Sequence, residues 1–199
     1  MPLDDAFEKA IEELRERSPF VVAAKSGASY EDGKFGLDFF DRTFLIHHPE
    51  TRVEEVATEN PPPEWLQVLL LHYLVTAKGK AVADQWVNYR YLPGAYLFEG
   101  KFSQGVVAPL TQTFGNDIEG FRKAGLSLGG TPMTRTGDAA FRFLALPKIP
   151  MACILYLGDE EVPSSMSILY DVAAPDYLPT EDLFLVGNYL STALQRHKG

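Results

Sequence analysis

The chain contains few of the residues on which disulfides, clusters and metal sites depend. Its 199 residues include a single cysteine, Cys153. One cysteine forms no internal disulfide, and it does not supply the four thiolates of an iron–sulfur cluster or a zinc ribbon. Because Cys153 lies between the apolar residues Ala152 and Ile154, we expect it to be buried as a small hydrophobic side chain.

The short motifs that mark common active sites are also missing. The sequence has no Gly-x-Ser-x-Gly elbow, no His-Glu-x-x-His motif and no Cys–His pair. The glycine-rich segment 125–130 lacks the spacing of a dinucleotide fingerprint, and we interpret it as the end of a helix. The adjacent His47 and His48 would point to opposite faces of a strand, so they cannot both bind one metal ion. The sequence therefore predicts no cofactor and no metal site.

Positive charge is scarce. The 18 Lys and Arg residues stand against 27 Asp and Glu residues, which gives a formal net charge of -9. A negative field disfavours binding to nucleic-acid phosphates and to anionic membranes. Residues 1–17 are too charged for a signal peptide, and the longest apolar run, at 66–77, is too short to span a bilayer. We therefore expect an acidic cytoplasmic protein that binds neither nucleic acid nor a membrane.

The composition is otherwise ordinary for a globular protein, with 46% hydrophobic and 23% charged residues. The length predicts one domain over residues 1–199 with a substantial core. Hydrophobic periodicity and capping residues predict helices, at Leu3–Arg17, Pro63–Ala77, Val107–Phe114, Asp117–Leu128 and Thr180–His197. The helix at 63–77 is apolar nearly all round and is expected to be buried, and Thr180 is expected to cap the last helix. Shorter apolar runs predict strands at Phe20–Lys25, Thr51–Ala57 and Trp86–Tyr91, and either one bent strand or a hairpin at Phe35–His48.

The stretch from Gly137 to Glu181 says most about the fold. It contains three apolar, β-branched or aromatic runs separated by short turns, at Ala139–Leu146, Met151–Leu157 and Ser165–Tyr170. Short connections join antiparallel neighbours, so these runs predict a meander. The sequence therefore predicts an α+β fold with a mainly antiparallel sheet, a C-terminal three-strand meander and a covering of helices.

One histidine is a candidate for ligand binding or catalysis. His72 lies inside the apolar helix predicted at 63–77. An imidazole there either acts as a base or a ligand, or is a core histidine that bonds a backbone carbonyl. No residue three or four positions away offers a second metal ligand.

Two arginines and one aspartate complete the set of candidates. Arg90 and Arg142 each fall among apolar residues on a predicted strand face, where arginine needs a carboxylate partner or an anionic ligand. Asp171 is one candidate partner, with Asp138 and Asp38 as the others. A structural ion pair and an anion site are both compatible with this pattern.

An acidic turn follows the middle run of the meander. The sequence Gly-Asp-Glu-Glu at 158–161 groups three carboxylates, which would either bind a hard cation or project into water as an ordinary turn. The alternate spacing of a calcium loop is absent. We therefore interpret the segment as a solvated turn.

Several segments together resemble an uncharacterised prokaryotic family, a domain of unknown function found mainly in anaerobes. They are LLLHYLVTAKGK (69–80), QWVNYRYLPG (85–94), GDAAFRFLALPKIPMACILYLGDEE (137–161) and SSMSILYDVAAPDYLPTEDL (164–183). Some members of that family are joined to a four-cysteine iron–sulfur module like that of corrinoid methyl-transfer proteins, and this module is absent here. The resemblance implies a context of anaerobic redox or one-carbon metabolism, and it assigns no role to any residue.

Three hypotheses about function follow. The first is a cytoplasmic, non-catalytic accessory domain that binds a small molecule or a partner protein, with His72, Arg90 and Arg142 near the site. The alternative is an enzyme whose site is assembled from distant residues: His72 as base, Asp171 or Asp159 as its orienting group or a metal ligand, and Arg142 as an anion clamp. The third is a structural subunit or homodimer, for which the 12% aromatic content would supply interface residues.

Overall fold

A computed structural model describes the chain from residue 3 to residue 198, with side chains from residue 7 onward. The chain divides into two compact units. The first comprises residues 3–81, 146–148 and 176–178, and the second comprises residues 82–145, 149–175 and 179–198. That residues 1–199 form a single domain stays a prediction.

The first unit combines three helices with a four-stranded sheet. The helices are α1 (Leu3–Glu16), α2 (Pro19–Ser26) and α3 (Glu64–Thr76), and the strands are β1 (Ser29–Glu31), β2 (Lys34–Phe39), β3 (Arg42–His47) and β4 (Val53–Glu55). The strands pair antiparallel in chain order. Of the two alternatives for residues 35–48, the structure has the hairpin, because Phe40 takes a φ of 53° and reverses the chain between β2 and β3.

The strand predicted at Phe20–Lys25 is wrong, because these residues belong to α2. Pro19 occupies the first turn, where its missing N–H costs nothing, and Gly27 ends the helix with a φ of 77°. Only Val22 and Ser26 are buried on this helix. The apolar pattern of residues 20–25 is typical of a strand, but Pro19 and Gly27 at the two ends favour a short helix.

Helix α3 is the central helix of its unit, and its predicted burial is confirmed. Eight of its 13 residues are buried, and α1 packs against it. The hydroxyl of Tyr73 donates to the carbonyl of Ser26 at 2.6 Å and accepts the backbone N–H of Lys148 at 3.0 Å. An apolar helix therefore also fixes the chain segments around it through one buried polar group.

The second unit contains the predicted meander inside a five-stranded sheet. Its strands are β5 (Trp86–Asn88), β6 (Thr131–Pro132), β7 (Ala139–Leu146), β8 (Ile149–Tyr156) and β9 (Ser165–Asp171), in the order β5-β9-β8-β7-β6. Its helices are α4 (Glu99–Phe102), α5 (Ala108–Phe114), α6 (Ile118–Ser127) and α7 (Thr180–Arg196), and a π-turn at Ser103–Val107 joins α4 to α5. The α+β class and the antiparallel C-terminal meander are confirmed.

Two local predictions in this unit need correction. The strand predicted at Trp86–Tyr91 ends at Asn88, and Tyr89–Tyr91 form a 3-10 turn. Thr180 does not cap α7, because its hydroxyl donates to the carbonyl of Pro93 at 2.6 Å and Pro179 precedes the helix. The glycine-rich segment ends α6 as predicted, with the N–H of Gly130 bonded to the carbonyl of Gly125 at 2.8 Å. Between residues 3 and 198, no helix is both long and apolar enough to cross a membrane.

Candidate functional site

Asp171 anchors a segment without regular structure to the sheet of the second unit. Its side chain is fully buried, and Oδ1 accepts the N–H of Ala83 at 3.2 Å and that of Ala173 at 2.9 Å. Oδ2 is buried too and has no hydrogen-bond partner among the described residues. Residues 82–85, which we call the strap, lead directly into β5, where Trp86 is paired with Asp171. The Asp171 carboxylate therefore accepts hydrogen bonds from the backbone of the strap and from the backbone of the turn that follows β9.

Arg142 contacts the same strap from another strand. Its guanidinium lies 3.7 Å from the Asp84 carboxylate, and the two side chains are 39% and 73% exposed. The ion pair that the sequence suggested for Arg142 is therefore present, but with Asp84 instead of Asp138, Asp171 or Asp38. At this distance and exposure the pair contributes little to stability.

The two strap anchors do not form a common polar centre. Among the described residues, the Arg142 guanidinium and the Asp171 carboxylate share no hydrogen bond or ion pair. One is half-exposed at the end of the strap, and the other is buried beneath its backbone. Both contact residues 82–85, and the hydrogen bond from Ala83 to the buried Asp171 is the stronger of the two contacts.

Arg90 lies in a different environment from the one predicted, since it is exposed on the 3-10 turn that follows β5. Its guanidinium stacks over the ring of Tyr91, 4.7 Å from the centroid, and donates to the Tyr91 hydroxyl at 2.7 Å. Its own N–H bonds the Asn88 side chain at 3.3 Å. The strand-face pattern fails here because the chain leaves the sheet two residues earlier than Arg90.

Buried residues hold in place the turn that carries Arg90, Tyr89–Tyr91, and the next turn, Ala95–Leu97. Tyr89 is fully buried, its ring is stacked on Phe102 at 4.1 Å with an interplanar angle of 8°, and its hydroxyl donates to the carbonyl of Thr180 at 3.1 Å. Leu92 and Ala95 are buried, and the Thr180 hydroxyl fixes the backbone at Pro93. Burial raises the pKa of Tyr89 to about 12, with the charge of Glu181 adding to the rise, so this anchor stays neutral.

Large apolar side chains project from these fixed turns. Tyr91, Tyr96 and Leu97 are 66%, 76% and 64% exposed, and the turn Tyr89–Tyr91 contacts the turn Ala95–Leu97. We call Arg90 and these three residues the tyrosine surface. The sequence analysis missed it because the residues follow no helical or strand period. The signal in the sequence is the Pro93–Gly94 turn with aromatic residues on both sides.

His72 lies half-buried on α3, in the first unit, whereas Arg90, Arg142 and Asp171 belong to the second. Its backbone carbonyl accepts the hydroxyl of Thr76 at 2.6 Å. The residues on both sides of His72 in the chain are buried. A role for His72 in ligand binding stays a prediction.

Other groups with potential chemistry have local structural partners. Burial raises the pKa of the Cys153 thiol to about 12, so it holds no thiolate at neutral pH. His47 lies 3.0 Å from Glu54, and this hydrogen bond is the main reason that the pKa of Glu54 is lowered. In the exposed acidic turn, the Asp159 carboxylate accepts the N–H groups of Val162 and Glu161, which lowers its pKa.

Within the described residues, no three His, Cys, Asp or Glu side chains are placed to hold one metal ion. The paired His47 and the turn-capping Asp159 illustrate why, because each uses its polar atoms on neighbours in its own segment.

The second unit also contains a neutral cleft beside the π-turn. It has a volume of about 400 Å³ and combines hydroxyl and amide groups from Ser103, Gln112 and Ser165 with the apolar side chain of Met166. Single π-helical turns between α-helical segments, like this one, are frequent at functional sites. Here the buried Ser191 hydroxyl donates to the carbonyl of Val106 at 2.8 Å, so the irregularity is satisfied internally.

Comparison with family models matches residues 18–193 to a family described as a domain of unknown function, DUF3786. The chain belongs to this family. Within DUF3786 the matched segment begins at Ser18, directly before α2, and it contains all four candidate residues and the tyrosine surface. The match confirms the resemblance to an uncharacterised domain family. Comparisons with curated proteins and with solved structures found no match.

Proposed function

We propose that this chain is a non-catalytic accessory domain that binds a partner protein through the tyrosine surface. The observation that carries the proposal is the exposure of Tyr91, Tyr96 and Leu97 on a backbone that buried residues hold in place. Tyrosine and arginine are enriched at the energetic centres of protein interfaces, and leucine supplies apolar area there. Exposed apolar side chains on a rigid segment are more informative than the same side chains on a mobile one.

The anchoring of the turns supports binding for a second reason. Association is weakened by the entropy lost when interface groups become ordered. The stacked Tyr89 and the hydrogen bond from Thr180 to Pro93 order this backbone before any partner arrives. The contact between Arg90 and the Tyr91 ring also restricts two long side chains in advance. Covering each large side chain would then contribute about 1–2 kcal/mol.

The proposed setting is the cytoplasm, in anaerobic redox or one-carbon metabolism. The acidic composition supports a partner that is neither a nucleic acid nor a membrane. The metabolic context rests on the resemblance to a family in which some members carry an iron–sulfur module. A partner from that metabolism would bring the redox or methyl-transfer chemistry, since this chain has one cysteine, and it is buried.

The alternative of an enzyme built on His72, Arg142 and Asp171 has less support. Arg142 and Asp171 are engaged with the strap, and Asp171 is fully buried. A base and its orienting group need to reach the same substrate. We therefore assign Asp171 to positioning the strap and Arg142 to a weak surface ion pair with it.

A photo-crosslinking amino acid placed at position 96 in the host cell tests the proposal. Leu126, 58% exposed on α6, is the matched control position. We expect position 96 to crosslink to one partner protein and position 126 to give no such product. The partner is then purified, and its affinity is measured for the unaltered chain, for Tyr96→Ser and for Leu126→Ser.

Tyr96→Ser should weaken binding at least about tenfold, whereas Leu126→Ser should change it less than about twofold. Equal affinities for the two variants would refute the proposed surface. A crosslink between two copies of this chain would instead identify the surface as a homodimer interface, and sedimentation at two protein concentrations would verify that result.

A further inference from the structure

The first unit contains a cleft that differs in chemistry from the tyrosine surface. It is lined by the two residues between α1 and α2, by one face of α2 and by the C-terminal end of α3, and its volume is about 420 Å³. Its floor is apolar: Val22, Leu74 and Ala77 are buried beneath it, and the half-exposed Val21 offers apolar surface to the cleft. This volume falls within the range of about 300–1,000 Å³ that is typical of sites for small molecules.

Three polar side chains stand at the rim of this cleft: Arg17, Ser18 and Lys25. The Arg17 guanidinium is fixed in place, because it donates to the carbonyl of Val75 and pairs with Glu13 at 2.9 Å. Ser18 precedes α2 but makes no side-chain capping bond. Among the described residues, neither the Ser18 hydroxyl nor the Lys25 ammonium has a hydrogen-bond or ion-pair partner. The rim therefore offers one oriented cation, one free cation and one free hydroxyl.

The charge of this cleft is opposite to that of the whole chain. The formal net charge of the chain is -9, yet two cations and no acidic residue line the cleft, and Glu13 pairs with only one of these cations, Arg17. Cations on a rim select a negatively charged group, and an apolar floor selects a hydrocarbon body. A ligand with several charges would leave charge against the apolar floor without compensation. The combination fits a single negative charge at one end of a short apolar molecule.

We propose that this cleft binds a small organic monocarboxylate. The carboxylate accepts hydrogen bonds from Lys25 and Ser18, beside the oriented Arg17, and the hydrocarbon chain lies against Val21 and over the floor of Val22, Leu74 and Ala77. This site is independent of the tyrosine surface, so either proposal stands or fails without the other.

Three probes separate the parts of the ligand: hexanoate has both a carboxylate and a chain, acetate has the carboxylate alone, and 1-hexanol has the chain alone. The full chain, labelled with ¹⁵N, is titrated with each probe, and backbone amide shifts are followed. We expect hexanoate to shift the amides of Val22 and Lys25 with a dissociation constant of about 1–10 mM. Acetate and 1-hexanol should each bind at least about threefold more weakly than hexanoate.

Substitutions test which side chain holds the carboxylate. Lys25→Gln keeps most of the side-chain length and removes the charge, so hexanoate affinity should fall about threefold to tenfold. Lys25→Arg should restore most of that loss. Lys9→Gln, on the exposed side of α1, is the matched control and should leave affinity unchanged. Both positions, Lys9 and Lys25, are exposed, so these variants are expected to fold.

Three results would overturn the proposal. One is the absence of saturable shifts around the cleft with hexanoate, and another is equal binding of hexanoate and 1-hexanol. The third is an equal effect of Lys25→Gln and Lys9→Gln, which would show that affinity follows overall charge instead of this site.

Discussion

Replacing Asp171 tests whether the strap depends on a buried carboxylate. Asp171→Ala removes the acceptor for the N–H groups of Ala83 and Ala173, which bond Oδ1 at 3.2 and 2.9 Å. A hydrogen bond to a charged acceptor contributes about 1.5–3 kcal/mol. The longer bond, to Ala83, belongs at the low end of that range, and the burial of the Oδ2 atom without a partner offsets part of the total.

The net loss expected for Asp171→Ala is about 3 kcal/mol of unfolding free energy. For a chain of this size that loss corresponds to a decrease of about 6–12 °C in Tm. Asp171→Asn keeps one acceptor oxygen and should cost about half as much. Arg142→Ala removes the exposed partner of Asp84, at 3.7 Å, and should cost less than about 1 kcal/mol.

Urea unfolding of the three variants gives these free energies, and hydrogen exchange shows where the change occurs. The amides of Ala83 and Ala173 should lose protection in Asp171→Ala but keep it in Arg142→Ala. The reasoning would be refuted if Asp171→Ala cost no more than Arg142→Ala. It would also be refuted if both amides stayed protected after the carboxylate was removed.

Three further predictions concern packing and pH. Gly125→Ala should lower the free energy of unfolding by about 1–2 kcal/mol, because the added Cβ would lie 2.6 Å from the Phe141 ring. Thermal unfolding should show a lower Tm. An unchanged Tm would contradict this prediction and indicate that the ring moves aside. The two Arg42 hydrogen bonds, both 2.8 Å, lower the pKa of Glu55. Their contribution to the free energy of unfolding should therefore be present above about pH 4.3, the ordinary pKa of glutamate, and be lost as the pH falls further. Arg42→Gln should flatten this pH dependence of stability in acid-induced unfolding. Burial raises the pKa of Tyr89 to about 12. The neutral Tyr89 should therefore stabilise the fold fully below about pH 10, the ordinary pKa of tyrosine, and this stabilisation should be lost as the pH rises towards 12. In alkaline unfolding, Tyr89→Phe should lack this loss of stability between about pH 10 and 12.

Periodicity and turn residues were sufficient for the meander. The strands at 139–146, 149–156 and 165–171 lie within three residues of their predicted bounds. Their pattern is strong because each run is apolar, β-branched or aromatic and is bounded by Pro, Gly or acidic residues. Short connections then leave antiparallel pairing as the simple arrangement.

The same reasoning failed where a segment is short. Residues 20–25 are apolar without a clear period, and the helix there is decided by Pro19 and Gly27 at its ends. The sequence pattern of the strand extends to Arg90, but the chain leaves the sheet after Asn88, whose side chain accepts the Arg90 N–H. In both cases a boundary residue outweighed the pattern of the interior.

The sequence by itself determined the α+β class, the buried helix at 64–76 and the burial of Cys153, because each depends on local runs of apolar residues that can be hidden from water in few ways. Only the tertiary structure decided that Asp171 and Arg142 contact one strap, and that Tyr91 and Tyr96 stand exposed on anchored turns. Polar side chains find partners across distances in the chain that no periodicity records, so their roles depend on which backbone groups the fold places within hydrogen-bond reach.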